Sequence, residues 1–296
     1  MENIFLINED YYLEFFKLFN MSLDSISALP SKVNEAKAEV VSQTGSGPKS
    51  KSVAVLSLNG SIQYKASALE KLFFGAVSLS ELSIKLDELV FDDSIGTIIL
   101  NIDSGGGVIT GVPEFADKIY SYRKKKRIVG FSNPMACSAA YWIGSACQEF
   151  YSLGSGLLGS VGVYCMHLDI SKMLENDGVK ATFIKAGEKK TDGNYYEPLS
   201  ASAKKDMQKQ VDEIYDAFVS SIALYRGTNV DDVLENFGKG SVVTPKNALN
   251  KNMIDGIMNM DELIASELSN LQEKDSSNSL TVNRANMFLN FEGLKQ

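Results

Sequence analysis

One histidine, three cysteines and six prolines are the scarce residues of this 296-residue chain, and the scarcity of each narrows what it can do. With His167 alone, no site that needs two histidine ligands can be built, and any Ser-His-Asp arrangement depends on that one side chain. Cys137, Cys147 and Cys165 are too few for a disulfide framework and suit a reducing compartment. The low proline count and balanced composition argue against a largely disordered chain. Basic residues are outnumbered by acidic ones, 29 to 37, and the net charge of −8 gives little general attraction for nucleic acid or an anionic membrane surface. No run reaches the roughly 18 uninterrupted apolar residues of a membrane span. The N-terminal stretch sets Glu2, Glu9, Asp10 and Glu14 against Lys17, with neither a basic start nor an Ala-x-Ala site, so it does not read as a signal peptide. The expectation is a soluble, cytoplasmic protein.

Against those absences stands a 44% hydrophobic content, enough at this length for one large domain or two small ones. Residues 1–30 form an amphipathic piece with Leu6, Phe15, Phe16, Leu18 and Phe19 on its apolar side. It is read as a helix packing on its own domain or a neighbouring subunit, in preference to a membrane surface. The Ser/Gly/Lys-rich residues 42–52 read as a linker. Beyond them the pattern alternates. SVAVLSLNG is a buried strand; Ser80 caps a helix carrying Leu82, Leu86, Leu89 and Val90; GTIILNI is a second buried strand. A helix at 111–124 leads to the strand RIVGF, then to the helical composition of ACSAAYWIGSA; EFYSL, VGVYCMHL and KATFIKA are strand-like, and SKMLEND is a short helix. Met207, Val211, Ile214, Phe218, Ile222 and Tyr225 recur at helical spacing up to Gly227, and Thr244-Pro245 starts a further helix. Strands alternating with helices predict an α/β domain with a mostly parallel sheet.

Three segments have the makings of a site. In NIDSGGGVITG (101–111) a buried strand runs into three glycines, either as a plain tight turn or as a cradle of outward-pointing N–H groups for an anion or a developing oxyanion. No Gly-Lys-Ser/Thr follows, so it is not a Walker loop. In NPMACSAAYWIGSA (133–146), Ser138 stands among small residues at a helix start, as an ordinary N-cap or as a nucleophile beside the free N–H of Ala139. Cys137 is a rival nucleophile that reads better as a small buried hydrophobe. In IKAGEKKTDGNYYEPLS (184–200) a polar loop carries Lys189 and Lys190, either solvated or, if one sits in a partly buried pocket, able to serve as general base. The run RKKKR (123–127) reads as a solvated face that complements a helix C-terminus.

Taken in order, Asp-Ser-x-Gly-Gly after a strand, the Ser-Ala-Ala-Tyr-Trp helix, Gly-Ser-Val-Gly-Val (159–163) and Ala-Gly-x-x-Lys-x-Asp-Gly-Asn resemble the signal peptide peptidase A family of serine peptidases. The Asp-Gly-Asn-x-x-Glu-Pro-Leu stretch resembles its phage prohead protease (capsid maturation protease) branch most closely, and the resemblance covers roughly residues 53–258. It implies a Clp-protease/crotonase-like fold and a serine–lysine dyad without metal or organic cofactor. The nucleophile maps to Ser138, the base to Lys190 (Lys189 if the match slips by one) and the oxyanion donors to the backbone N–H of Gly106 or Gly107 and of Ala139. The family's histidine near His167 is not catalytic. Where the family has Ser-Pro-Gly-Gly, this chain has Ser104, Gly105, Gly106 and Gly107, which keeps both glycines; alanine after Ser138 is tolerated in the phage branch.

The expected organisation is an N-terminal segment and linker (1–50), a serine peptidase domain (51–260) and a C-terminal helix with a polar tail (261–296). The expected function is endopeptidase action on a protein or peptide substrate such as a phage capsid or scaffold protein. The alternatives are a cytoplasmic signal-peptide-peptidase-like protease, a catalytically silent scaffold of the same fold and, less well supported, a crotonase-like acyl-CoA enzyme. Ring-like homo-oligomers are expected, with Phe73, Phe74, Val77 and the aromatic N-terminal stretch as candidate interface.

Overall fold

The computed structural model describes residues 4–6, 36–43 and 50–273; the N-terminal aromatic residues Phe15, Phe16 and Phe19 and the tail beyond 273 lie outside that description. In chain order, β1 (Ile4–Leu6) and β2 (Lys37–Gln43) come first. Then follow β3 (Ser52–Asn59), β4 (Ile62–Gln63), α1 (Ala68–Phe74), β5 (Val77–Ser78) and α2 (Leu79–Phe91). A second turn is β6 (Ile95–Ser104), β7 (Gly107–Val108) and α3 (Val112–Tyr122); a third is β8 (Arg127–Cys137) and α4 (Ala139–Ser145). β9 (Glu149–Ser152), β10 (Leu157–Gly159), β11 (Tyr164–Cys165), α5 (Ser171–Asn176) and the long α6 (Ala201–Arg226) come next. The chain closes with α7 (Val230–Asn236), β12 (Val242–Val243), α8 (Pro245–Asn250), β13 (Gly256–Ile257) and α9, residues 260–273.

Two sheets result. The larger has the order β12-β10-β8-β6-β3-β2 with parallel pairing from β10 to β3, antiparallel strands at its two edges, and β9 and β13 added in parallel beside β8. The smaller has the order β11-β1-β7-β4-β5. Each turn of the chain gives a long strand to the first sheet, most add a short one to the second, and a helix returns the chain. This repeating turn is the Clp-protease/crotonase-like arrangement that the motifs imply.

The period of two along β6 decides how the layers pack. Ile98, Leu100 and Ile102 face a core shared with Leu82, Leu86 and Val90 of α2 and with Ile119, Trp142 and Phe218. Ile99, between them, faces a second core with Val53, Val129, Phe131 and the α9 residues Leu263 and Leu271. A parallel sheet needs cover on both faces, and α9 supplies the second. Burial of Glu267 on α9 to 1% side-chain exposure is made tolerable by Arg127, which donates through Nε (2.6 Å) and Nη2 (2.7 Å), and by Thr97 Oγ1 at 3.2 Å. Arg127 also reaches Glu149 at 2.7 Å, and these carboxylates hold its guanidinium pKa above the usual arginine value.

The structure corrects several sequence readings. Residues 180–186 form no strand: no neighbour pairs with them, and Ile184 is fully exposed. Only Tyr164 and Cys165 of VGVYCMHL pair. Ser78 rather than Ser80 caps α2, accepting from the Glu81 N–H. Val77 is 2% exposed and belongs to the main core, so it is not interface surface. The basic run is solvated only in part: Lys124 and Lys125 are exposed, Lys125 lying over the Phe91 ring, while Lys126 donates to the Asp92 and Ile95 carbonyls (2.8 and 2.5 Å) and Arg123 lies over Tyr120 and donates to the Tyr225 carbonyl. β2 had no strong signal because its pairing is an edge phenomenon of a short, polar-flanked segment.

Removing one partner of a buried ion pair strands the other, at a cost of about 3 kcal/mol or more. Glu267→Ala should therefore lose about 3 kcal/mol in urea unfolding, and Arg127→Met with Glu267→Leu should recover most of it. A loss under about 1 kcal/mol in the single variant would remove α9 from this account.

Candidate active site

The register between β6 and β8 sets the site. Ser104 pairs with Ala136, so Gly106 and Ser138 each stand two residues past that pair, at the C-terminal ends of adjacent parallel strands. In parallel α/β sheets that end is where loops and helix starts converge. Ser138 joins β8 directly to α4 with φ 55° and ψ −121°, a backbone region that L-residues with a Cβ rarely occupy. Its N–H donates to the Gly159 carbonyl at 2.7 Å, and its own carbonyl accepts the first helical bond from the Trp142 N–H at 2.9 Å. An ordinary N-cap would fold its hydroxyl onto the helix; no side-chain cap bond forms here, and Ser138 is buried to 3% exposure. α4 is fixed by burial on every side: Trp142 stacks on Phe218 with centroids 4.4 Å apart, and the Tyr141 hydroxyl donates to the Met253 carbonyl at 2.9 Å. As the first residue of α4, Ala139 carries an N–H with no intrahelical acceptor.

The glycine turn is set by Ser104, which the sequence reading had not singled out. Its hydroxyl donates to the Gly60 carbonyl at 2.6 Å and accepts from the Gly106 N–H at 3.1 Å. Gly106 has φ 113°, and a Cβ on Gly107 would stand 2.1 Å from the Ile62 carbonyl oxygen, so both positions demand glycine. Of these two candidate donors, the Gly106 N–H is engaged by Ser104. Beside them Asp103 is half-buried; desolvation raises its carboxyl pKa, against an opposing bond from the Met135 N–H. Asp103 and Gly159 are the other residues that sequence reasoning missed. The positive φ of Gly159 (93°) is hinted at only by its place in Gly-Ser-Val-Gly-Val.

The remaining candidates are placed as follows. Cys137 is fully buried and burial pushes its thiol up to about 12, which keeps it protonated and unreactive. His167 donates through Nε2 to the Asn194 carbonyl at 2.7 Å and stacks on Tyr195, a tie within the 166–200 segment rather than toward Ser138. Lys189 is ion-paired with Asp206, which raises its pKa and holds it protonated. Lys190 is exposed, its backbone N–H turned to the Gly187 carbonyl at 3.2 Å, and no hydrogen bond or ion pair joins it to Ser138 among the described residues. The structure thus unites Ser138, Ala139, Gly106 and Gly107 and leaves Lys190 apart. Among the described residues no three His, Cys, Asp or Glu side chains converge as metal ligands, and no helix is long and apolar enough to cross a membrane.

Residues 121–273, just over half of the chain, match the model of peptidase family S49. The chain belongs to peptidase family S49. It is 30% identical over 213 residues to the head-tail preconnector protein GP5 of Enterobacteria phage P21, a match covering 72% of this chain and 42% of that protein. It is 27% identical over 212 residues to the capsid assembly protease C of Escherichia phage lambda, covering 72% and 48%. The S49 chain therefore spans less than half the length of either relative. Among solved structures it is similar to the 1510-N membrane-bound stomatin-specific protease, with a TM-score of 0.43 and 16% identity over 71% of this chain and 76% of that one. The S49 match contains Ser138 and both loop lysines, while the glycine turn precedes it.

Positive φ at a residue with a Cβ costs about 1–3 kcal/mol, which glycine avoids at an unfolded-state entropy cost of about 0.5–1 kcal/mol. Ser138→Gly should accordingly melt about 2–4 °C above Ser138→Ala. Equal or reversed melting temperatures would show that the turn holds no strain.

Proposed function

We propose that this S49 chain is a serine endopeptidase in which Ser138 is the nucleophile and Lys190 the general base. The observation that carries the reading is the backbone of Ser138, held at positive φ between a strand end and a buried helix, next to a glycine turn on the neighbouring strand. In the proposed reaction Ser138 Oγ attacks the scissile carbonyl carbon while its proton passes to neutral Lys190 Nζ. The carbonyl oxygen becomes an oxyanion held by the Ala139 N–H and the N–H of Gly106 or Gly107. Collapse breaks the C–N bond, and the proton on Lys190 goes to the departing amine. Water, deprotonated by Lys190, then attacks the acyl-enzyme carbonyl, the ester C–O bond breaks, and Lys190 returns that proton to the departing Ser138 oxygen.

This chemistry requires the exposed 166–200 segment to close over Ser138. We assign that closure to bound substrate together with a second copy of the chain in a homo-oligomer. Apolar side chains along the segment, among them Met173, Phe183 and Ile184, are exposed and fit such an interface. With GP5 and the capsid assembly protease as relatives, the substrate class proposed is a phage capsid or scaffold protein in the host cytoplasm. The peptidase unit is taken as 51–260, completed by β2 from 1–50 at one sheet edge and by α9 from 261–296 over the second core. One observation favours a second reading, a silent scaffold: no hydrogen bond joins Lys190 to Ser138 among the described residues.

The test compares variants on a flexible capsid or scaffold protein, with fragments identified by mass spectrometry. Ser138→Ala and Lys190→Ala should each lower kcat by about a thousandfold or more, while Lys189→Ala and His167→Ala keep most of it. Activity lost in His167→Ala would replace the lysine with a histidine base; no cleavage by the unaltered chain would favour the scaffold.

A further inference from the structure

β1 lies between β11 and β7 in the smaller sheet. Its three residues pair antiparallel on both sides, Phe5 and Leu6 with Val108 and Gly107, and Ile4 and Phe5 with Cys165 and Tyr164. The two flanking strands do not pair with one another; without β1 the smaller sheet would have a gap one strand wide. Both walls of that gap start at the site. β7 begins at Gly107, the residue after Gly106, and β11 lies shortly beyond Gly159, whose carbonyl takes the Ser138 N–H. A strand lying there collects backbone hydrogen bonds from both walls whatever its side chains, which is how an extended peptide is bound by adding to open strand edges. Direction matters as well. As β1 runs forward from Phe5 to Leu6 its partners run back from Val108 to Gly107, so the strand advances toward the glycine turn. Its three residues make it short, and a short strand is readily displaced.

We propose that the gap between Gly107–Val108 and Tyr164–Cys165 is a groove for extended peptide backbone, and that Ile4–Leu6 are an intramolecular competitor for it. The inference rests on reading Ser138 as the nucleophile that the groove serves. Substrate must displace β1 to bind, so the chain's own N-terminal strand restrains the peptidase. Because β1 belongs to the same chain, it competes at a local concentration on the order of 1 mM. A strand that binds in trans with a Kd of about 100 µM would at that concentration fill the groove roughly nine-tenths of the time, raising the apparent KM about tenfold.

The test uses the full chain and Phe5→Pro, which takes one backbone donor from a strand with ladders on both sides, together with a chain lacking residues 1–10. Fluorescence anisotropy of a labelled peptide with the sequence of residues 1–10, read in a Ser138→Ala background, reports the groove without any cleavage. The peptide should bind Phe5→Pro and the shortened chain about tenfold more tightly than the full chain. With Ser138 present, KM for a flexible protein substrate should fall about tenfold in both variants while kcat stays the same. Equal peptide affinity for all three proteins, or binding to none, overturns the proposal whether or not the enzyme cleaves. Tighter peptide binding without cleavage by any variant upholds the groove and overturns the peptidase reading instead. Should the shortened chain fail to fold, Phe5→Pro in the full chain decides alone.

Discussion

A 2.7 Å hydrogen bond from the Ser138 amide to the Gly159 carbonyl fixes the backbone on which the site depends. It joins the end of β8 to the end of β10, its parallel neighbour, so the chain leaves the sheet with no residue to spare before α4 begins. That economy forces Ser138 into a positive φ and turns its side chain away from the capping role serine usually takes at a helix start. The strain is sustained because α4 cannot move: sheet, α6 and the Met253 backbone enclose it. Gly144 shows how tight the enclosure is, since a Cβ there would lie 2.5 Å from the Phe150 ring. Strain of about 1–3 kcal/mol at one residue is small beside the burial of a seven-residue apolar helix.

The sheet itself is held from both faces. The alternation of Ile98, Ile99 and Leu100 sends neighbouring residues of one strand into two separate cores, and the Arg127–Glu267 pair locks α9 beneath the second. β6 and β8 are thereby packed on both faces, and they carry the glycine turn and the serine. The 166–200 segment has the opposite character, exposed along most of its length and stabilised by local turns and ion pairs such as Lys189 with Asp206. The proposed nucleophile and oxyanion donors thus stand at the ends of buried strands, and the proposed base stands on the exposed segment.

The buried strands were legible in the sequence because apolar runs such as VAVLSL and TIILNI have one physical outcome in a domain of this composition. The long helix α6 was legible too, from Met207 to Gly227, as was the Thr244-Pro245 helix start. Ser138 and the glycines stand out as candidates from residue types and order, and the register places them side by side at adjacent strand ends. Their support was not legible: Ser104, Asp103 and Gly159 act through register and backbone geometry, which depend on which strands become neighbours. The strand-like pattern of KATFIKA misled for the same reason, since alternation records a tendency and only a partner strand makes it a ladder. Val77 misled in the other direction, an apolar residue read as interface that the core takes up.

The central claim, that the fold singles out Ser138 as an activated nucleophile, is tested most directly by treating the full native chain with a fluorophosphonate and mapping the adduct by mass spectrometry. The account predicts one adduct, on the Ser138 hydroxyl, absent when Ser138→Ala is treated alongside. An adduct on any other residue, or none on the folded chain, would contradict it.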